Sequence, residues 1–355
     1  MSRTRLSIPA IAVAGLLLAP MTALSGPAPS GPATPFDFNK DTKTDLSSFN
    51  TSTFVVRTNM IDGVTAIPPV GFPTTLSATL QLVGAASVDG SGQAQLVALN
   101  SSTGLIRIIS LDAAGTTATG SHFPASVNGG FKYVGAGDFD GNGTDDLLFY
   151  QTTGPNTGLM RVILMNSDFT VKASGFPATL PSGFVPFGVG DVNGDGHADI
   201  AAAQTTGPNQ GLYRFFIMNT DGLTVSSSTF PGSAAAGAVP VGLGYLDSDT
   251  RADVLSVKKV DPNKGLARVQ VTGSGGTSFT ASSFPFTVTA GMVVTQIGSN
   301  GGPGEVFTTK TADPNGGTTR VFILSSDAST VSTTGFPVQI PLAFTVVGNV
   351  VPNQP

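Results

Sequence analysis

The sequence predicts an all-β protein: a six-bladed β-propeller of four-stranded antiparallel blades, closed by a C-terminal strand that joins blade one, with a seven-bladed ring as the alternative. Three markers recur along the 355 residues with one common period of about fifty residues. They are an apolar segment that leads into an acidic loop, a single arginine and a Phe-Pro pair. Forty-five glycines and 25 prolines agree with many short strands separated by turns.

The N-terminal residues predict export. Two arginines precede an apolar run over residues 8–18, and small residues follow at 23–25, which is the order of a secretory signal peptide ending near residue 25. A buried core helix is the alternative interpretation. Residues 26–35 are rich in Pro and Gly and predict a linker, so the repeats occupy residues 36–355. No Cys is available for a lipid anchor and no later segment is apolar enough to cross a bilayer, so we expect a secreted or periplasmic protein.

Net charge restricts the possible partners, and the absence of cysteine restricts how the loops can be held. Removing two of the 17 basic residues with the leader leaves 15 against 22 acidic ones, a net charge of −7. This balance disfavours nucleic acid and anionic lipid, so we expect no nucleic-acid partner and no membrane insertion. Without cysteine the exported chain has no disulfides, and another device must hold its loops.

The three markers agree on six copies. The segments leading into acidic loops begin at Phe36, Val83, Val134, Phe187, Val241 and, in shortened form, Ile297. The arginines are Arg57, Arg107, Arg161, Arg214, Arg268 and Arg320, and the Phe-Pro pairs begin at Phe72, Phe123, Phe176, Phe230, Phe284 and Phe336. In the third copy the pattern predicts strands over residues 132–137, 146–151, 159–165 and 171–176.

The ends of the chain predict how the ring closes. A four-stranded sheet of this size cannot cover both of its faces, so the copies must stack on one another as blades. The first copy lacks its innermost strand, whereas the sixth copy is followed by an extra one. We therefore expect residues 344–350 to pair with blade one and remove the open edge.

The acidic loop of the third copy has the chemistry of a cation site. Counted from Asp138 as position one to Asp146 as position nine, it offers side-chain oxygens at positions one, three, five and nine. Hard oxygen donors in a glycine-rich turn suit Ca²⁺, which takes six to eight oxygens. An EF-hand is excluded, because strands flank the loop and Phe149 stands where that motif has its bidentate Glu. The alternative is an acidic turn that only faces water.

Two of these loops resemble the D-x-D-G-D-G-x-x-D loop of FG-GAP/VCBS repeats, which build the propellers of integrin α-subunits and of many bacterial secreted proteins. The resemblance covers nearly all of the chain after the leader. It implies Ca²⁺ ligation by side chains of the third and fourth loops, namely Asp138, Asp140, Asn142 and Asp146, and Asp191, Asn193, Asp195 and Asp199. Thr144 and His197 would supply backbone carbonyls.

The other loops depart from the family pattern. The first keeps the donors Asp37, Asn39, Asp41 and Asp45. It has Lys40 and Thr42 where the family has Gly, and because Thr resists a left-handed turn we expect a weaker site. In the fifth loop Tyr245 replaces the first Asp, which leaves its occupancy open. The second and the sixth loops are expected to lack the metal.

Few residues of the types that act in catalysis remain outside the acidic loops. The chain has two His, one Glu and no Cys, and 14 of its 22 acidic residues belong to the acidic loops. His197 lies inside such a loop and His122 immediately precedes a Phe-Pro pair, so we expect no enzyme and no catalytic residue. The arginines fall on third strands, where each is expected to bond backbone carbonyls or an acidic side chain of an adjacent blade. Each Phe-Pro is expected to pack between blades and to end a strand.

Antiparallel connectivity divides the loops between two faces of the disc. The first and third connections of each blade share one face, here the first face, and the second connections and blade crossings share the second face. The resemblance implies a calcium-stabilised, non-enzymatic adhesion-type propeller that binds protein or glycan through the second face. The alternatives are an extracellular polysaccharide hydrolase or lyase, or a structural envelope or matrix component. Two converging carboxylates on the second face or in the axial channel would favour the enzyme.

Overall fold

The computed structural model describes residues 36–299, 302–312 and 314–350, and the predicted leader and linker lie outside the described residues. The described chain forms six four-stranded antiparallel sheets, each of which is one blade. In chain order the strands are β1 (Leu46–Phe49), β2 (Val56–Asp62), β3 (Thr65–Gly71), β4 (Leu80–Ala86), β5 (Gln95–Asn100), β6 (Ile106–Leu111), β7 (Ala118–His122), β8 (Phe131–Gly137), β9 (Asp146–Gln151), β10 (Met160–Met165), β11 (Val171–Gly175), β12 (Phe184–Gly190), β13 (Asp199–Gln204), β14 (Tyr213–Met218), β15 (Val225–Thr229), β16 (Ala238–Gly244), β17 (Asp253–Lys258), β18 (Ala267–Thr272), β19 (Phe279–Ser283), β20 (Met292–Ser299), β21 (Gly304–Lys310), β22 (Thr318–Leu324), β23 (Val331–Gln339) and β24 (Thr345–Val347).

The blades follow the chain, and the six-bladed prediction is confirmed. Blades two to six are β4–β7, β8–β11, β12–β15, β16–β19 and β20–β23, and blade one has the order β24, β1, β2, β3. First strands of successive blades contact one another, β4 with β8, β8 with β12, β12 with β16 and β16 with β20, so they lie innermost around the axis. The strands predicted for the third copy agree with β8 to β11 within one residue at each end.

The C-terminal strand closes the ring as expected. β24 pairs antiparallel with β1, with Ser47 opposite Val347 and Ser48 opposite Val346, and it also contacts β20 and β4. The Ser47 hydroxyl donates to the Val347 carbonyl at 2.9 Å. The paired strand covers residues 345–347, which is shorter than the predicted 344–350.

The core lies between blades. Buried apolar side chains form six clusters, each shared by two adjacent blades. Between blades three and four, for example, Phe139 and Leu148 meet Ile200 and Phe216. Second strands such as β9 are almost wholly buried because neighbours cover both of their faces, whereas outermost strands such as β11 alternate between partly buried and exposed residues. Each fully buried large side chain stabilises the fold by about 1.5–3 kcal/mol.

Helical structure is nearly absent from the described chain. One 3₁₀ turn, Ser274–Gly276, precedes β19. No helix among the described residues is long and apolar enough to cross a membrane.

The first four acidic loops have left-handed backbone at positions four and six. In the third loop these positions are Gly141 and Gly143, with φ of 70° and 83°. In the first loop they are Lys40 and Thr42, which adopt φ of 62° and 67°. A β-branched side chain is strained in that region, so Thr42 costs the first loop stability that glycine does not cost the second, third and fourth loops.

A disulfide across the closing strand tests the ring. In the double variant Ser48→Cys/Val346→Cys the two new thiols stand at directly paired positions, and the natural chain has no other Cys to compete. We expect oxidation to form the bond and to raise the free energy of unfolding by about 2–4 kcal/mol, because it closes a long loop in the unfolded chain. Calorimetry of the oxidised and reduced forms measures the gain, with the two single variants as controls. Failure of the thiols to pair under oxidant would contradict the closure.

Candidate metal centre and the rim arginines

Three carboxylates of the third acidic loop come together at the first face. Asp138 follows β8, and Asp146 is the first residue of β9. The turn between these strands brings Asp140 close to both carboxylates. Among the residues that the structure describes, these three side chains have ligand oxygens within 4.8 Å of one another. Oxygens bound to one Ca²⁺ at 2.3–2.6 Å lie at most about 5 Å apart, so the group has the size of a calcium site.

Asp146 is the carboxylate that fixes the loop. It is fully buried, its Oδ2 accepts the Phe139 N–H at 2.9 Å, and its Oδ1 accepts the Met165 N–H at 2.7 Å. The loop is thereby bonded to the end of the third strand. Burial raises the pKa of Asp146 to about 8, and the nearby Asp140 and Asp138 add to the shift. A cation beside these oxygens would favour the ionised form.

Asp140 has an oxygen that the protein does not satisfy. Its Oδ2 pairs with Lys172 Nζ at 2.6 Å, but its Oδ1 is buried without a hydrogen-bond partner. A buried, unpartnered carboxylate oxygen beside two other carboxylates fits a hard divalent cation. Asp138 accepts the N–H groups of Asn142 at 3.0 Å and Gly143 at 2.7 Å, which orients it within the turn.

Asn142 and Thr144, the other predicted members of this site, bond to each other and to the third strand. Asn142 Oδ1 accepts the Thr144 N–H at 2.7 Å, and Asn142 Nδ2 donates to the Met165 carbonyl at 3.2 Å. The Thr144 hydroxyl contacts the same Met165 carbonyl at 3.1 Å. Metal ligation by Asn142 and by the Thr144 carbonyl stays a prediction.

The fourth loop repeats the anchoring but gathers fewer carboxylates. Asp199 is buried, accepts the Val192 and Met218 N–H groups at 3.1 and 2.9 Å, and has a pKa raised by burial to about 8. Asp191 accepts the N–H groups of Gly194 and Gly196 at 2.6 and 2.8 Å. Within the described chain, the carboxylates of this loop do not come as close together as those of the third loop.

The remaining donors of the fourth loop bond locally. Asn193 Nδ2 donates to Asp195 Oδ2 at 2.8 Å, and Asp195 Oδ1 accepts the His197 N–H at 2.9 Å. The His197 imidazole reaches the neighbouring loop, with Nδ1 3.3 Å from the Phe139 carbonyl oxygen. His197 is therefore a contact between blades, and ligation by its own carbonyl stays a prediction.

The first loop has the same anchor with a cation nearby. Asp45 accepts the Phe38 and Ile61 N–H groups, both at 2.8 Å, and burial raises its pKa to about 8. Asp37 accepts the Thr42 N–H at 2.8 Å. Asn39 Nδ2 donates to Asp41 Oδ2 at 3.1 Å, and Asp41 Oδ1 accepts the N–H of Lys43, whose ammonium pairs with Asp62.

The fifth loop holds a positive charge of its own. Arg251, at position seven, pairs with Asp249 through Nη2 and donates from Nε to the Thr272 carbonyl at 2.9 Å. Tyr245, at position one, contacts the backbone nitrogen of Asp191 in the preceding blade at 3.3 Å. The Arg251 guanidinium thus donates to the carbonyl equivalent to that of Met165, which Asn142 contacts in the third loop, and the metal occupancy of the fifth loop stays an open question.

The acidic loops are bonded to one another around the ring, a feature that the sequence analysis missed. The N–H of position eight in one blade donates to the carbonyl of the preceding loop. These bonds run from Ala94 to Asp37 at 2.7 Å, from Asp145 to Ser87 at 2.9 Å, from Ala198 to Asp138 at 2.8 Å and from Ala252 to Asp191 at 2.6 Å. The sequence feature that could have indicated these bonds is the Ala that precedes the position-nine residue in three copies.

The arginines lie on third strands as predicted, but their partners differ from the expectation. In blade three, Arg161 Nε donates to the Ser174 hydroxyl at 3.0 Å, and the guanidinium carbon lies 5.8 Å from the centre of the Phe176 ring. Blades two to six share this pattern of arginine, fourth-strand hydroxyl and phenylalanine: Arg107/Ser121/Phe123, Arg161/Ser174/Phe176, Arg214/Ser228/Phe230, Arg268/Ser282/Phe284 and Arg320/Thr334/Phe336. An acidic partner was the wrong expectation, and the backbone-carbonyl bond applies to Arg161, whose Nη1 reaches the Ser126 carbonyl at 3.3 Å.

The expectation that each Phe-Pro packs between blades is also wrong. The six phenylalanines are 53–62% exposed, because the blades diverge at their outer strands and leave these rings uncovered. The signal in the sequence was a hydroxyl residue two places before Phe. Blade one has Val70 there, and its Arg57 is correspondingly different: it is buried and its Nε has no hydrogen-bond partner.

Comparison with known proteins found distantly similar structures and one matching repeat family. No curated protein matches the chain. Solved structures similar to it include a luciferin-regenerating enzyme, with 12% identity, a TM-score of 0.46 and coverage of 87% of this chain and 99% of that chain. A putative 6-phosphogluconolactonase from Bacteroides uniformis has 15% identity, a TM-score of 0.47 and coverage of 84% of each chain. The WD40 domain of Toxoplasma gondii coronin has 11% identity, a TM-score of 0.42 and coverage of 82% of this chain and 70% of that chain. Likenesses this distant imply nothing about the chemistry of this chain. Residues 191–256 match the family described as FG-GAP-like repeat. Together with the six four-stranded blades, this match supports a β-propeller of the FG-GAP type.

Proposed function

We propose that the chain is an exported, calcium-stabilised, non-enzymatic β-propeller that binds a protein or glycan through its second face. The observation that supports calcium most directly is the third loop, where Asp138, Asp140 and Asp146 converge and Asp140 Oδ1 is buried without a partner. The fourth loop has the same anchor and is the second candidate. The first is weaker because of its strained turn, and Arg251 makes the fifth independent of metal.

Calcium in these loops would hold the ring rather than one turn. Each of the first four loops is bonded to the next blade through that blade's position-eight N–H, so an ion that tightens such a loop also tightens a blade contact. At the affinity of about 10⁻⁴ M that extracellular modules show, millimolar Ca²⁺ adds about 1.4 kcal/mol per site. Bound calcium would thus supply the stabilising cross-link that an exported protein without cysteine otherwise lacks.

Binding rather than catalysis is favoured by where the titratable groups lie. Among the described residues, the acidic side chains belong to the first face except for Asp261. His122 stacks on Phe169 with ring centroids 3.8 Å apart, and His197 lies between two acidic loops. A hydrolase of the glycosidase type needs two carboxyl groups that flank one bond. The second face instead presents polar second connections on a rigid scaffold, as recognition surfaces commonly do.

Calcium should raise the melting temperature, and substitution in the third loop should reduce that increment. In Asp140→Asn the expected increment is smaller because a ligand with an unsatisfied oxygen is lost. The matched control is Asp249→Asn in the fifth loop, which should keep the full increment because Arg251 supplies the charge there. Thermal unfolding in chelator and in millimolar Ca²⁺ measures both. Equal melting temperatures in chelator and calcium for the natural protein would refute calcium stabilisation.

The calcium effect should grow with pH. The pKa values of Asp45, Asp146 and Asp199 are raised to about 8 from 3.8, so without metal these groups favour folding at low pH, and this contribution is lost as pH rises through about 8. Calcium replaces the proton at the same oxygens. We therefore expect the free energy of unfolding of the chelated protein to fall between pH 5 and pH 8, by an amount set by the difference between the folded and unfolded pKa values of these groups. The free energy of unfolding of the calcium-loaded protein should fall less.

Calorimetry at a series of pH values measures this difference. Asp146→Asn is the informative variant, because Gln95 already shows a neutral amide accepting the equivalent N–H, from Val88 at 2.8 Å. The variant should show a smaller pH dependence in chelator and a smaller response to calcium. A calcium increment that is constant with pH would contradict competition between proton and metal.

Binding through the second face is tested by matched asparagine variants. Asn156 and Asn209 lie in second connections, whereas Asn166 and Asn219 lie in third connections at the first face. Asn156→Ala/Asn209→Ala should weaken capture of the ligand from a panel of glycans and secreted proteins. Asn166→Ala/Asn219→Ala should not. Equal loss of ligand capture in both double variants would mean that the ligand does not bind through the second face.

A further inference from the structure

Charged side chains are segregated between the two faces of the disc. Strand direction assigns each residue: acidic loops, third connections and the adjoining strand ends belong to the first face, and second connections and their adjoining strand ends belong to the second. Of the 21 acidic residues that the structure describes, 20 lie at the first face and Asp261 lies at the second. Of the 15 described basic residues, four lie at the first face, namely Lys40, Lys43, Lys172 and Arg251.

The other eleven described cations lie at the second face. They are Arg57, Arg107, Lys132, Arg161, Arg214, Lys258, Lys259, Lys264, Arg268, Lys310 and Arg320. The three ion pairs among the described residues involve Lys43, Lys172 and Arg251, which are all first-face residues. Among the described residues the second-face cations therefore have no paired carboxylate, and burial together with the nearby Lys264 lowers the pKa of Lys259. Such a face attracts anions although the net charge of the protein is negative.

Five of these cations are built into a repeated unit, which we call the Arg–Phe rim. It consists of the arginine and phenylalanine pairs of blades two to six, with guanidinium carbons 5.5–6.0 Å from the ring centres. The hydroxyl on each fourth strand holds the arginine Nε, so the guanidinium is oriented before any ligand arrives. Each ring is more than half exposed. A planar charged group beside an open apolar ring therefore repeats from blade to blade.

From this arrangement we infer that the second face and its Arg–Phe rim bind a linear polysaccharide that carries carboxylate groups at regular intervals. The inference rests on the proposed function and names the ligand class for the same face. A guanidinium pairs with a carboxylate through two parallel hydrogen bonds, and an exposed ring offers an apolar platform to the C–H face of a sugar. Equivalent sites around a ring select a ligand that repeats, because one chain can occupy several of them at once.

Two other polyanionic partners fit less well. An anionic membrane is approached best by apolar groups at the tip of a surface, but the exposed second connections at residues 153–157 and 206–210 are polar. The rim phenylalanines of blades two to five directly follow the fourth strands. Nucleic acid shares the repeating charge, but the export that is part of the proposed function brings the protein to extracellular polymers. Both are included as probes in the test.

The experiment measures binding of the full exported chain to hyaluronan and to chondroitin, two linear polysaccharides with a carboxylate on alternate sugars. The test variants are the triple Arg161→Gln/Arg214→Gln/Arg268→Gln and the single Phe176→Ser. Phe72→Ser is the matched control for the latter, because Phe72 is equally exposed at 58% against 56% but its blade has a buried arginine. Carboxyl-reduced polymer, dextran, oligothymidylate and phosphatidylcholine/phosphatidylglycerol vesicles are the comparison ligands. Melting curves confirm that each variant is folded.

We expect long hyaluronan or chondroitin to bind more tightly than its tetrasaccharide, and the triple variant to weaken binding of the long polymer by about tenfold. Phe176→Ser should weaken it measurably and Phe72→Ser should not. If the triple variant fails to fold, the two phenylalanine variants still decide the question.

Binding that is unchanged by the substitutions, or that is kept by carboxyl-reduced polymer, would overturn the inference. So would arginine-dependent binding of oligothymidylate or of the anionic vesicles in the absence of glycan binding. If neither acidic polysaccharide binds while the Asn156/Asn209 variant still loses another captured ligand, the ligand class is wrong and the proposed second-face binding stands. Failure of every probe together with equal capture by both asparagine variants would remove the proposed function as well.

Discussion

The structure depends on a buried hydrogen-bond acceptor at position nine of the acidic loops of blades one to five. In blades one, three, four and five it is an Asp whose two oxygens accept one N–H from the loop and one from the end of the third strand, as Asp146 does with Phe139 and Met165. These N–H groups lie where water cannot reach them, and leaving one unsatisfied would cost about 1–3 kcal/mol. The residue therefore fixes the path of the loop whether or not a metal is bound.

This anchor allows the loops of blades one to five to vary in charge while the position-nine residue keeps its place in the ladder. In blade two the amide of Gln95 accepts the equivalent N–H of Val88. In blade six the buried Glu305 stands at the same place in the ladder, opposite Gly298, but its oxygens do not make the pair of loop and third-strand bonds. Charge matters at the neighbouring positions, where the third loop has three converging carboxylates and the fifth has Arg251 paired with Asp249. The charge of a loop can thus change in one blade while the chain of bonds between loops is kept.

The same architecture separates the charges. Acidic residues gather at first and third connections, where they anchor loops and cap turns, and arginines gather at the beginnings of third strands. Antiparallel blades send these two sets to opposite faces of one disc. A protein with a formal net charge of −5 therefore has one strongly acidic and one basic face, and its net charge is a poor guide to its partners.

The sequence by itself determined the blade number, the strands and the closing segment, because three markers repeat with one period and short alternating strands follow local rules of turns and side-chain direction. It also indicated the donors of the third loop, where spacing within nine residues is enough to bring Asp138, Asp140 and Asp146 together. Only the tertiary structure decided which contacts cross between blades: the chain of loop bonds, the exposure of Phe176 and its equivalents, the hydroxyl partners of the arginines, and the separation of charge. These depend on how neighbouring sheets diverge from the axis and on which face each connection reaches, and residues fifty positions apart become neighbours only when the ring closes.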